Sequence, residues 1–350
     1  MKNRINRFQL ISTGAAITAI SLLAMTSTSA SASSSYYTCD APTSCTKVDK
    51  RIFTSSYGAT KYPMVLVHGF LGWNQLASSL DYFFGVPQTL ITNGADVFTT
   101  KTSSVNSSEV RGEQLLKQVN YITAITGAKK VNLIGHSQGG LDSRYIATVA
   151  SDKVASVTAV SSPHKGSKTS EYVLDNLINS DKPLNQLGAK VLTASVEAFG
   201  VSADILSGVP LDQLQDQNSL NFVTTTTTES SAAFNAKYPA PLPNTYCGQP
   251  PANNVMNGVE YYSWAGVSNI TNVLDPSDYI LALTGQTHEG IPNDGLVDNC
   301  STRIGQVIRD NYRMNHLDTI NQVLGLSSLL ETNPLTVYRV QANRLKKSGV

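Results

Sequence analysis

Apolar positions along the chain fall in short unbroken runs rather than in alternation. Met64-Val65-Leu66-Val67 comes first, followed by Ala95 to Thr99, Val131 to Ile134, Ala155 to Val160 and Val259 to Trp264. Such runs predict strands buried on both faces, as in a parallel sheet. Helical patterns lie between them. Asn106 and Glu109 resemble a capping pair, opening a helix with Leu115, Leu116, Val119 and Ile122 on one face and Gly127 at its end. Strands that alternate with helices place the chain in the α/β class.

Between residues 166 and 245 the strand pattern stops. Leu187, Val191, Ala194 and Ala198 recur at helical spacing, before the threonine run Thr224 to Thr228 and the proline-rich "YPAPLPNTY". This predicts a mostly helical insertion over the sheet's C-terminal edge, either a structural cap or a mobile lid with an apolar underside. Residues 33–60 form an N-terminal extension with no placement from pattern alone.

The first 32 residues follow another rule. Lys2, Arg4 and Arg7 precede an interrupted apolar stretch from Leu10 to Met25, and Ala30-Ser31-Ala32 is a small-x-small site. That is the pattern of a cleaved export signal, and the apolar run is too short and broken for a membrane anchor. Taking the leader's three basic residues from 26 leaves 23 against 25 acidic ones, a net of −2. No basic block with interleaved aromatics appears, which argues against nucleic acid or an anionic membrane as partner. Export permits disulfides, and four cysteines allow three pairings. Cys39–Cys45 with Cys247–Cys300 is the most economical, because each pair brackets a local segment. Zinc is the rival, without a CxxC or a nearby histidine to support it.

Candidate chemistry centres on "NLIGHSQGGLDSRY", Asn132 to Tyr145. Gly135-His136-Ser137-Gln138-Gly139 has the Gly-x-Ser-x-Gly form of a strained strand-to-helix turn that presents a serine hydroxyl. Serine needs a base and a holder for the oxyanion before it becomes a useful nucleophile. Of the five histidines, His68 in "LVHGF" suits an oxyanion loop, His136 adjoins the serine, and His164 and His288 lie in loops. His316 follows a sheet-like run near the C-terminus, which fits the serine, acid, histidine order of this fold class. "NDGLVDNC" offers Asp294 as the acid that orients it, with Asp298 as the fallback.

"YPMVLVHGFLG", "NLIGHSQGGLDSRY", "VSSPHKGS", "NDGLVDNC" and "NHLDTINQVLGL", in that order, resemble the foldase-dependent secreted triacylglycerol lipases of Gram-negative bacteria. The match runs from about Lys61 to the C-terminus. The resemblance implies an α/β-hydrolase fold over 61–350, a triad of Ser137, Asp294 and His316, and oxyanion donors on the backbone N–H groups of Phe70 and Gln138. It implies a disulfide between Cys247 and Cys300, and a membrane-bound foldase as maturation partner. A structural Ca2+ ion is implied on Asp275, Asp318, Gln322 and the Leu326 carbonyl, oxygen ligands that suit calcium. Phe70 stands where many members carry methionine, a change that leaves the backbone donor intact.

The expected function is thus that of a secreted monomeric lipase hydrolysing long-chain acylglycerols at an oil–water interface. A short-chain or polyester carboxylesterase with the same triad is the nearer alternative. A non-catalytic surface-binding protein on a hydrolase scaffold is the remote one, and it would be expected to lack a triad member.

Overall fold

A computed structural model describes residues 33–52 and 55–350. The leader, and with it the expected export signal, lies outside the described residues. Strands β1 (Ser33–Ala41), β2 (Ser44–Ile52), β3 (Met64–Val67), β6 (Val97–Thr100), β7 (Val131–His136), β8 (Val154–Val160), β10 (Val259–Gly266) and β11 (Gln306–Tyr312) make one sheet in the order β11-β10-β8-β7-β3-β6-β1-β2. The short strand β9 (Val255–Met256) pairs with β10, and β4 (Gln75–Leu76) with β5 (Leu80–Asp81) forms a separate ribbon.

From β11 to β1 every neighbour in that order is parallel, while β2 and β9 run antiparallel. The unbroken apolar runs are the reason: β3, β6, β7 and β8 are buried at every position. One apolar layer joins Leu66, Ile134, Val160 and Trp264 to α1 (Val86–Thr92) and α9 (Pro334–Ser348). The other joins Val65, Leu133 and Val157 to α2 (Ser108–Thr126) and α3 (Gln138–Val149). A sheet covered this way has its crossover loops, and therefore its chemistry, at the C-terminal strand ends.

The extension becomes legible here. Residues 33–52 are a hairpin that adds two strands to the sheet edge, with Cys39 opposite Cys45 in register and joined to it as a disulfide. Cys247 and Cys300 form the second disulfide. Tyr37 stacks on Phe98 at 4.6 Å, and the Tyr36 hydroxyl donates to Asp81 at 2.7 Å.

The expected cap of α2 is displaced by one residue. Ser107, with extended backbone, accepts the Val110 N–H on its hydroxyl, and Gly127 closes the helix at φ 67°. Asn106 turns its side-chain oxygen to Ser107 N–H and Asn221 instead.

The segment from 166 to 245 holds α4 (Lys168–Val173), α5 (Pro183–Leu206), α6 (Ser219–Thr225) and α7 (Thr228–Lys237). It touches the loops that follow the strands. Phe222 of α6 stacks on Phe70 at 4.0 Å, Asn106 donates to the Asp216 carbonyl at 2.9 Å, and the Ser167 hydroxyl donates to Leu296 at 2.7 Å. The two ends of α5 differ. Its C-terminal end is pinned by a buried Lys101–Asp204 ion pair and by Ala77 N–H on the Leu206 carbonyl. Its N-terminal half carries Leu184, Leu187 and Val191 on one stripe at 78%, 59% and 59% exposure.

Candidate active site

Ser137 sits between β7 and α3 with φ 54° and ψ −126°. That left-handed backbone is strained for a side-chain-bearing residue and persists because the neighbours hold it. A Cβ on Gly135 would run into the Gly139 carbonyl, and one on Gly139 into the Val67 carbonyl. Only glycine lets the turn close at these two positions. Ser137 N–H donates to Val160 at 2.8 Å, tying the elbow to the next strand.

The histidine comes from the loop after β11. His316 Nδ1 lies 2.8 Å from Asp294 Oδ2, and its backbone N–H donates to the Asp294 carbonyl at 2.8 Å. The other oxygen of Asp294 accepts Leu296 and Val297 N–H at 3.1 and 2.9 Å. With Nδ1 committed to a carboxylate fixed by three donors, Nε2 is the ring nitrogen left without a partner among the described residues. The His316 ring packs 4.6 Å from that of His136, which brings it to the elbow. Asp298, four positions on, is engaged elsewhere. It accepts the Tyr246 hydroxyl at 2.7 Å and Ser301 N–H at 2.9 Å, with His288 at 3.6 Å.

Gln138 begins α3, so its N–H has no partner one turn back in the helix. The Phe70 N–H likewise donates to nothing among the described residues, although Gly69, Leu71 and Gly72 beside it all do. Two unspent donors therefore flank the serine, one at a helix N-terminus.

The Phe70 loop is held from below by His68, at the place where the sequence suggested an oxyanion loop, and by Arg111, which no motif pointed to. His68 Nδ1 donates to the Gly69 carbonyl at 2.9 Å, and its Nε2 accepts Thr102 N–H at 3.1 Å, which fixes the neutral form. Burial, with Arg111 and Lys101 nearby, holds its pKa well below the usual histidine range. Arg111 is fully buried and donates to His68 O at 2.7 Å, to Ser103 O and to Asp142 at 2.8 Å. Nothing in a single sequence marks that arginine, 43 positions from the carbonyl that it holds.

Next to His316 the chain gathers buried carboxylates. Asp275 spends Oδ1 on the N–H and hydroxyl of Ser277, and Asp318 spends Oδ2 on Asn315 N–H. Their other oxygens, Asp275 Oδ2 and Asp318 Oδ1, are buried with no hydrogen-bond partner among the described residues. Burial, reinforced by Asp278 and Asp275, pushes Asp318 up to about 7. Gln322 turns its amide oxygen to Leu324 N–H at 3.1 Å, and the Leu326 carbonyl accepts no hydrogen bond among the described residues. Asp278, absent from the expected set, is saturated by Thr271, Asn272 and Asn315. It braces the loop instead. Among the described residues no group of three or more His, Cys, Asp or Glu side chains is placed to hold a metal. A site on Asp275 and Asp318 would therefore rely on amide and carbonyl oxygens as well.

A serine on a strained elbow, an imidazole paired to a buried carboxylate and two free N–H groups define a hydrolase of the serine type on an α/β sheet. In keeping with this, the alpha/beta hydrolase fold family matches residues 62–182. The chain belongs to the family of bacterial triacylglycerol lipases. It is 48% identical to the triacylglycerol lipase of Vibrio cholerae over 84% of this chain and 90% of that one. With the Pseudomonas fragi triacylglycerol lipase it shares 41% over 83% and 98%, and with that of Burkholderia plantarii 37% over 85% and 90%. Among solved structures, a mature Bacillus licheniformis lipase superposes with a TM-score of 0.53 at 19% identity, covering 82% of this chain and 93% of that one. This last likeness concerns the fold alone.

Proposed function

We infer that the chain is a triacylglycerol lipase that cleaves long-chain acylglycerol esters through an acyl-enzyme on Ser137. What supports this is the His316–Asp294 pair, whose imidazole packs against His136 of the elbow, in a chain of lipase family. His316 Nε2 takes the Ser137 proton as Oγ attacks the ester carbonyl, and Asp294 steadies the imidazolium. The tetrahedral oxyanion rests on the Phe70 and Gln138 N–H groups. As the intermediate collapses, His316 protonates the departing glyceride oxygen. Water, deprotonated by the same nitrogen, then releases the fatty acid.

Long-chain substrate is favoured over short esters by the apolar stripe of α5, whose N-terminal half is exposed while its far end is anchored. Such a helix has the character of a lid that lies on lipid when open. The experiment is a rate curve for one ester carried through its solubility limit. The reading expects a jump in rate once an interface forms. Smooth saturation across the limit would return the chain to the short-chain esterase alternative.

Export through the leader and dependence on a membrane-bound foldase belong to the same proposal, supported by the leader's pattern and the family resemblance. So does a structural calcium ion, which the partnerless oxygens of Asp275 and Asp318 fit, with Gln322 and Leu326 completing an oxygen set. Bound there, the ion would supply positive charge that fixes the loop two residues beyond His316. Without it, a carboxyl whose pKa is raised to about 7 favours the protonated form in the folded state, so stability falls as pH rises from the unfolded carboxylate range through 7. Calcium should therefore raise the Tm of chelator-treated protein more at pH 8 than at pH 5.5. Equal increments at both pH values, or none, would remove the site.

A further inference from the structure

His136 precedes the nucleophile, is completely buried, and has no part in the chemistry above. Its Nε2 lies 3.0 Å from the His316 carbonyl oxygen. A carbonyl can only accept, so Nε2 carries the proton, and burial keeps the ring neutral by holding its pKa well below the usual range. Nδ1 is then bare and accepts the Tyr82 hydroxyl at 2.8 Å. The phenol oxygen, having donated its own proton, accepts the Gly69 N–H at 3.2 Å. Every donor direction in this chain is thereby determined, from Gly69 through Tyr82 and His136 to His316.

The relay joins three loops that must keep a fixed geometry. Gly69 precedes the Phe70 donor, His136 precedes Ser137, and His316 is the base. Tyr82 has no freedom to turn, with its ring edge-on to Trp73 at 5.3 Å and to Phe83 at 5.2 Å. We propose that Tyr82 and His136 are positioning residues for the acyl-transfer reaction, setting the Phe70 N–H against the His316 imidazole without touching substrate. The proposal rests on the Ser137 mechanism above and adds to it the means by which oxyanion donor and base are kept in register. A donor shifted from the oxyanion weakens the transition state and leaves ground-state binding alone, so the effect falls on kcat and spares KM.

Tyr82→Phe, His136→Gln and the double variant of the full chain, assayed on a soluble short-chain p-nitrophenyl ester, test this. Glutamine keeps a donor for the His316 carbonyl and loses the acceptor for Tyr82, so both single changes break the same joint. Each is expected to lower kcat about tenfold with KM within about twofold, and the double to fall no further than the worse single. Losses that multiply to about a hundredfold would mark two separate packing defects and overturn the coupling. So would a Tyr82→Phe variant with wild-type Tm and wild-type kcat, or a loss confined to KM. If Tyr82→Phe does not fold, His136→Gln alone carries the test by the same kcat criterion. Ser137→Ala in the same assay separates the two claims. Its retention of activity sinks the mechanism itself, whereas an inactive Ser137→Ala beside an unaffected Tyr82→Phe sinks only the relay.

Discussion

Ester hydrolysis by Ser137→Ala is expected to fall roughly a millionfold, with the fold unchanged. In the proposed mechanism Ser137, His316 and Asp294 act as one proton-transfer unit, so His316→Ala should cost about as much and the double variant little more. Asp294→Asn should cost roughly ten-thousandfold, because an amide donor facing Nδ1 holds the imidazole in the wrong tautomer. Asp298→Asn serves as the comparison. Its carboxylate is turned to Tyr246 and Ser301, 3.6 Å from His288, and its loss should leave turnover far less affected. Dead His288→Ala and Asp298→Asn variants beside an active His316→Ala would reverse the assignment of base and acid.

Arg111→Leu should give the largest loss of stability. The change strands the Asp142 carboxylate, fully buried, with one oxygen already lacking a hydrogen-bond partner among the described residues. Removing one partner of a buried ion pair costs about 3–5 kcal/mol, a fall in Tm on the order of 10 °C. The pH dependence has a definite sign. Burial already pushes Asp142 up to about 6 against the pull of Arg111, and without the guanidinium it rises further. A protonated carboxyl suffers little from the missing cation, so the deficit relative to wild type should shrink from pH 8 to pH 5. Activity should fall as well, since the His68 carbonyl loses its tie to the donor loop. A calorimetric scan at the two pH values checks both points, and a wild-type Tm at pH 8 would contradict them.

Much of the sheet was legible because strands buried on both faces need unbroken apolar residues. Val131 to Ile134 and Ala155 to Val160 fall within β7 and β8, short by one or two residues at an end. The hairpin at 33–52 was not legible, for a physical reason. β2 is an edge strand, "SCTKVDKRI", with most positions exposed, and such strands carry charge to discourage further pairing. The α5 spacing is in the sequence, but not the Lys101–Asp204 pair that ties down one end of the helix. At the site, the glycine-flanked serine and the loops bearing Asp294 and His316 stand out because their residue types are few. The supports do not. Arg111, Tyr82 and Asp278 look like ordinary surface or core residues until folding places them against carbonyls and histidines distant in sequence.

The proposed reaction is a Ser137 acyl-enzyme formed from long-chain triacylglycerol at an interface. Titration of fatty acid released from emulsified trioleoylglycerol, by the wild-type chain and by Ser137→Ala, tests it most directly. Steady oleate release by the wild-type chain, faster than its rate on a dissolved short-chain ester, is expected, with none above background from the variant. Rapid cleavage of the dissolved ester with no oleate from the emulsion, or oleate release that survives in Ser137→Ala, would contradict it.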